Sequence, residues 1–157
     1  MKALGIINFS GHHIRVEGMQ DYRPIGAFSF LGRYRAIDFP ISNMSNSGID
    51  QIQVNQKPRS LAEHLGTGRH YNINSKRGKL QLLFSENGAE NSLYDTDIAA
   101  YIENMECIKH STCPYVVIAP SYMIYAQDFH DVIKTTSNLA QTFLSCTIPW
   151  TMQKRHF

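Results

Sequence analysis

Residues Tyr115–Phe129 read YVVIAPSYMIYAQDF. Val116, Val117 and Ile118 are a β-branched apolar run of strand length, and Pro120 and Ser121 end it. From Phe129 to Ile133 the apolar spacing turns helical. Strand, turn and helix in succession is the repeating unit of an open α/β sheet, whose ligands lie beyond the carboxyl ends of the strands. At that position this stretch offers Pro120, Ser121, Tyr122 and Met123, with no charge before Asp128.

The text on either side repeats the unit. Ala3–Asn8 (ALGIIN) reads as a buried strand entering a loop at Ser10-Gly11. Phe9 to Arg35 is irregular and rich in glycine, a long loop of the kind that carries function. RAIDFPISNMSNSG places Ile37, Phe39, Ile41 and Met44 on a short helix that stops near Gly48. Ile49–Gln56 alternates apolar and polar residues, as a half-buried strand does. Pro58 to His64 is helical with the proline near its first position, and Gly78–Phe84 is a further strand. From Asp95 to Lys109, Ile98, Tyr101, Ile102, Met105 and Ile108 keep the i, i+3, i+4 spacing of an amphipathic helix. Strands alternating with helices predict βαβ units and a mostly parallel sheet. Ligands are then expected where the first loop, the strand end at Val54–Lys57 and APSYM converge.

Bulk properties narrow the class. The chain has 157 residues, 43% of them apolar, enough for a packed core and too many for a disordered chain. The net charge is +2, from 15 basic against 13 acidic residues, and the basic ones are spread along the chain, which leaves no clear nucleic-acid footprint. Cys107, Cys113 and Cys146 form no C-x-x-C pair, and an odd count argues against a disulfide framework. With no signal-peptide pattern and no apolar run of membrane-spanning length, a reducing, cytoplasmic setting is expected.

Gly32–Ile49 (GRYRAIDFPISNMSNSGI) is the most specific text in the chain. It resembles the segment that bacterial glucose-1-phosphate adenylyltransferases (ADP-glucose pyrophosphorylases) write as G-G-[KR]-[YF]-R-x-I-D-F-x-L-S-N-x-x-N-S-G-I. The resemblance runs from Lys2 to about Thr135 and includes VNQKPRSLAEHLGTGRHYNI, set against the family's T-Q-Y, helix and H-I-G-x-G turn. It is strongest to the non-catalytic, regulatory-subunit branch. It implies the N-terminal part of a Rossmann-like, glycosyltransferase-A-like nucleotidyltransferase domain. It also implies a hetero-oligomer with a catalytic subunit, ADP-glucose made from ATP and glucose 1-phosphate for glycogen, and ATP and Mg²⁺ in the active holoenzyme. A nucleotide or sugar-phosphate effector is implied as well; a nucleic acid or a membrane is not.

Residue by residue, the resemblance implies lost catalysis. After the first strand the family has G-G-x-G-x-R-L, whose bare backbone cradles the triphosphate. Here stands NFSGHHIRVEG, in which only Gly11 matches, and the His12-His13 pair is too little for a metal site. The family's K-P is Arg23-Pro24. In W-Y-x-G-T-A-D-A the Asp becomes Ala99, while Asp95 and Asp97 suit an ordinary helix start. In V-V-I-L-A-G-D-H-I-Y-K-x-D-Y the metal-binding Asp becomes Tyr122, and a neutral phenol does not replace an oxygen anion at Mg²⁺. Arg23, Ala99 and Tyr122 are therefore degenerate catalytic positions, and no metal ligand is assigned. Gln56 matches the Gln of T-Q-Y, which implies an adenine contact; a solvent-exposed glutamine at a strand end is the other reading. Arg33 and Arg35 resemble the basic residues near sugar-phosphate effectors, where a guanidinium fork matches phosphate oxygens; with Asp38 they can equally form a local ion-pair network. Ser42, Asn43, Asn46 and Ser47 suit backbone capping and turning.

The resemblance stops after Thr135, so residues 1–135 are expected to be the nucleotidyltransferase-like part and 136–157 a non-family tail. Codons can be chosen for Thr136–Phe157 that, read one base out of register, spell a family-like continuation containing Ser-Gly-Ala-Asp-Ile. A frameshift is the expectation, with a truncated chain whose sheet keeps exposed edges and uncovered apolar faces.

Overall fold

The central strand is β1 (Ala3–Asn8), and all six of its residues are buried. A computed structural model describes residues 2–8, 25–55, 59–66, 68–73, 78–83, 98, 101–102 and 104–139. Within them β1 joins β4 (Gln51–Asn55), β5 (Lys79–Leu83) and β6 (Tyr115–Pro120) in one parallel sheet of order β5-β4-β1-β6. The chain steps from β1 outward to β4 and β5, then returns to the opposite side of β1 as β6. The reversal makes the carboxyl end of β1 a topological switch point, the usual ligand crevice of such sheets. The expected α/β, mostly parallel architecture is the observed one.

The pleat explains the sequence pattern. Register pairs Gly5 with Ile52 and Val117, and Ile7 with Val54 and Ala119. These residues line one face, against which Ile37, Ile41, Met44, Leu61, Leu65, Phe129 and Ile133 pack as the core. They come from α1 (Asp38–Asn46), α2 (Arg59–Leu65) and α4 (Phe129–Leu139) and from the residue before α1. Gly5 is required here: a Cβ on it would stand 2.5 Å from Met44 Sδ, so its absence lets α1 lie close on the sheet. The same face-to-face fit buries Met44 completely.

Helix α1 ends as its sequence predicts. Gly48 takes φ +76, its N–H bonds Ser45 O at 3.0 Å, and Ile49 N–H bonds Met44 O at 3.0 Å. This is a Schellman stop, and Ile49 and Met44 both enter the core.

Two expectations are corrected. The loop expected over Phe9–Arg35 contains, in its described part, a 3₁₀ turn (Ile25–Ala27) and a two-stranded hairpin of β2 (Ser29–Phe30) and β3 (Tyr34–Arg35). Strands of two residues are too short to show a period. The helix expected over 95–109 is helical at Ile98, Tyr101 and Ile102, and then as α3 (Met105–Lys109), but Asn104 between them has φ −101 and ψ 15. Its apolar stripe is not buried: Ile98 and Ile102 are 66% and 64% exposed. The β6 run, β-branched and apolar in sequence, buries one side only. Val116 and Ile118 lie on the second sheet face at 46% and 53% exposure. Among the described residues no helix is long and apolar enough to cross a membrane.

Candidate functional site

At the switch point the ends of β1 and β6 are bound side by side. Asn8 pairs with Pro120 in the register, and Ser121 N–H donates to Asn8 O at 2.9 Å. Asn8 and Ser121 are buried, and Tyr122 is half-buried directly after them. Ser121 Oγ is buried without a hydrogen-bond partner. Ser121 stands at the glycine of the family motif, and that exchange is the sequence signal that marks it.

The chemistry of this edge follows from its donors. Asn8, Ser121 and Tyr122 supply neutral oxygens, whereas a hard divalent cation needs carboxylate or phosphate oxygens. Among the described residues no group of three or more acidic, histidine or cysteine side chains is gathered for a metal. The nearest carboxylate in sequence, Asp128, is engaged at the next helix start: its Oδ1 accepts from His130 N–H at 2.8 Å. This donor set does not fit Mg²⁺.

The second cluster lies on the core side. Asp38, the first residue of α1, is buried. Its Oδ2 accepts from Arg35 N–H at 2.8 Å. Its Oδ1 accepts from Tyr71 OH at 2.6 Å and lies 2.7 Å from His64 Nε2. One carboxylate thus fastens the end of the hairpin, the last turn of α2 and the 3₁₀ turn Arg69–Tyr71. Burial, and then the hydrogen bond and charge of Asp38, push the Tyr71 phenol well above its usual range, against the opposing charge of Arg35.

That fastening sets where Arg33 and Arg35 sit. Phe30 and Tyr34 meet Phe39 edge to face, with centroids at 5.4 and 6.2 Å, which lays the hairpin on α1. Arg33 is exposed in the turn with Leu31 and Gly32; Arg35 is half-buried beside Asp38 and Tyr71. The hairpin therefore presents Arg33 to solvent and turns Arg35 inward. Gly11, Arg23, Gln56 and Ala99 lie outside the described residues.

The polar run after Pro40 ties the returning chain down. Asn43 Nδ2 donates to Tyr125 O at 2.8 Å, and Phe129 N–H donates to Ser47 Oγ at 2.8 Å. Ser47 Oγ donates to Asn43 O at 2.7 Å, the capping role expected of it. Ser45 Oγ donates to Tyr71 O. An open pocket of about 350 Å³ lies between Asn43, Asn46 and Ser47 and residues Ala126, Gln127 and Asp128.

Residues 11–157 match the family model described as nucleotidyl transferase. The chain belongs to the nucleotidyl transferase family. The matched span includes Ser121 and Tyr122 but begins after Asn8. Among curated relatives, a glycogen biosynthesis protein GlgD from Geobacillus stearothermophilus is 34% identical over 140 residues, covering 84% of this chain and 39% of the relative. A glucose-1-phosphate adenylyltransferase from Pseudothermotoga lettingae is 31% identical over 134 residues, covering 84% and 32%. The GlgD of Bacillus subtilis is 30% identical over 135 residues, covering 83% and 39%. The chain thus spans well under half the length of these relatives. A solved structure named as a glucose-1-phosphate thymidylyltransferase from Bacillus anthracis superposes with a TM-score of 0.62 at 14% identity, over 87% of this chain and 50% of that one. At that identity it supports the fold alone, an open α/β nucleotidyltransferase sheet.

Proposed function

We propose that this chain serves glycogen biosynthesis as a regulatory, non-catalytic member of the glucose-1-phosphate adenylyltransferase group. Its holoenzyme would join ATP and glucose 1-phosphate to give ADP-glucose and pyrophosphate. The single observation that carries the reading is Tyr122. It sits at the carboxyl end of β6, one residue past the Ser121–Asn8 bond, where the family motif has its carboxylate. Transfer of a nucleotidyl group depends on positioned phosphates and neutralised charge. The neutral donor set of this edge supplies neither an anchor for Mg²⁺ nor a substitute charge.

The remaining roles follow from that loss. A cytoplasmic hetero-oligomer with a catalytic subunit supplies the missing chemistry. Arg33, exposed on its hairpin, and Arg35 receive a sugar-phosphate effector, and Gly11 and Gln56 retain nucleotide. Residues 1–135 form the nucleotidyltransferase-like part, and 136–157 are a frameshifted tail. The DNA of the gene tests the tail: codons that do not permit the alternate frame rule it out.

Purified chain given ATP, Mg²⁺ and glucose 1-phosphate is expected to release no pyrophosphate; robust turnover overturns the assignment. Co-expression with a catalytic subunit is expected to yield a stable complex. A chain that never associates is instead a relic without a role. Titration of ATP against the parent and Gln56→Ala checks nucleotide retention.

A further inference from the structure

The β2–β3 hairpin is too small to hold itself. Its strands are two residues each, and Leu31 and Gly32 take φ +53 and +74 in its exposed turn. A two-stranded hairpin has little stability of its own in water. Phe30 and Tyr34 lay it on Phe39 of α1, but aromatic pairs accept ring separations of about 4.5–7 Å and so leave its angle loose. Direction comes from a hydrogen bond: Arg35 N–H, at the end of β3, donates to Asp38 Oδ2 at 2.8 Å.

That carboxylate is itself held from outside the hairpin. Its Oδ1 accepts from Tyr71 OH at 2.6 Å and lies 2.7 Å from His64 Nε2. These two side chains stand on the 3₁₀ turn and on α2, 33 and 26 residues from Asp38 along the chain. Burial raises the Tyr71 phenol well above its usual range, so it stays a protonated donor to Asp38. The Arg35 charge opposes that shift, which places the guanidinium near the same hydroxyl.

We propose that Asp38, held by Tyr71 and His64, is a positioning residue that sets Arg33 and Arg35 of the hairpin for a phosphate group. This role rests on Arg33 and Arg35 receiving a sugar-phosphate effector, as proposed above. A guanidinium meets phosphate through a planar fork, so affinity depends on where the hairpin holds each arginine. Order imposed before the ligand arrives is not lost again on binding. Asp38, Tyr71 and His64 act through the backbone of Arg35 and not on the ligand. Loosening them therefore weakens phosphate binding while both cations remain in the chain.

The probe is glucose 6-phosphate, titrated into the 157-residue chain by calorimetry, with glucose as the arm that lacks phosphate. All variants are compared below their melting transitions. Arg33→Ala is expected to remove the preference for the phosphorylated sugar. Tyr71→Phe and His64→Leu are expected to raise Kd at least about fivefold. His64→Gln, whose amide nitrogen can stand at the Nε2 position, is expected to stay within about twofold of the parent. The two His64 variants lose the imidazole alike, so a difference between them reads the hydrogen bond to Asp38. Backbone NMR order parameters at residues 31–35 are expected to fall in Tyr71→Phe and His64→Leu and to recover in His64→Gln. A Tyr71→Phe chain that does not fold leaves the His64 pair to decide.

Parent affinity in Tyr71→Phe and His64→Leu, with Arg33→Ala still deficient, overturns the positioning role and leaves the effector site standing. Equal losses in His64→Gln and His64→Leu, or weakened binding with hairpin order unchanged, also overturn it. No preference for glucose 6-phosphate over glucose in the parent, or a preference that survives Arg33→Ala, removes the effector site and the positioning role with it.

Discussion

Tyr71 OH donates to Asp38 Oδ1 at 2.6 Å, thirty-three residues along the chain, and this bond joins the start of α1 to the turn beyond α2. His64 and the Arg35 backbone complete the shell of the same carboxylate. Removing the acceptor leaves buried donors unmet, which costs more than the bonds themselves. Asp38→Ala is expected to lower unfolding free energy by about 2–4 kcal/mol, and Tyr71→Phe by about 1–2 kcal/mol, in urea denaturation. Asp38→Asn, which keeps an acceptor, should fall between the parent and Asp38→Ala.

The buried phenols set an alkaline limit on stability. Burial pushes Tyr125 up to about 12, against the hydrogen bond from Asn43, and Tyr71 is raised further. An unfolded tyrosine ionises near 10. Above that pH the unfolded state has lost protons that the folded state keeps, so stability falls as pH rises. It is fully present below about pH 10 and is lost progressively from there through pH 12, with the Tyr71 contribution still falling beyond. Denaturation midpoints measured between about pH 8.5 and 11.5 are expected to stay level up to ~10 and then drop. Tyr125→Phe should flatten part of the drop. Tyrosinate absorbance should show Tyr71 and Tyr125 titrating late in the folded chain.

Much of this architecture is legible in the sequence. The β1, β4, β5 and β6 runs, and the stop of α1 at Gly48, are local signals that tertiary contacts leave unchanged. The exposure of Val116 and Ile118 is not legible, because a β-branched run reads the same at a sheet edge as inside it. Nor does helical spacing at Ile98 and Ile102 reveal whether anything covers them. The Asp38–His64–Tyr71 cluster draws on three separate elements, and no periodicity links such residues. By contrast the place of Tyr122, just past the end of β6, is read directly, since one motif position and one strand end define it.

Gly5 sets the distance between α1 and the sheet. Gly5→Ala places a Cβ against the fully buried Met44, and the side chain has no exposed side to move toward. A loss of about 1–3 kcal/mol is expected in chemical denaturation. If that contact is the cause, the double variant with Met44→Ala should be more stable than the sum of the two single losses predicts, by at least about 0.5 kcal/mol.

Leu31 holds φ +53 in the hairpin turn with 81% of its surface exposed, so its side chain gains nothing from packing while its backbone carries a left-handed cost. Asparagine tolerates that conformation better. Leu31→Asn is expected to raise stability by about 0.5–1 kcal/mol with no change in oligomeric state. An unchanged or lower melting temperature would count against a strained turn.

Tyr122→Asp restores the carboxylate that the family motif places at the end of β6, yet turnover is not expected from it. A single carboxylate does not supply the several oxygen ligands a divalent cation needs. The first loop also writes His12-His13 where the family keeps bare backbone for the triphosphate. The pyrophosphate assay with ATP, Mg²⁺ and glucose 1-phosphate should therefore read at background for both parent and variant. Pyrophosphate release by Tyr122→Asp alone would show that the loop still cradles phosphate and that one residue separates this chain from catalysis.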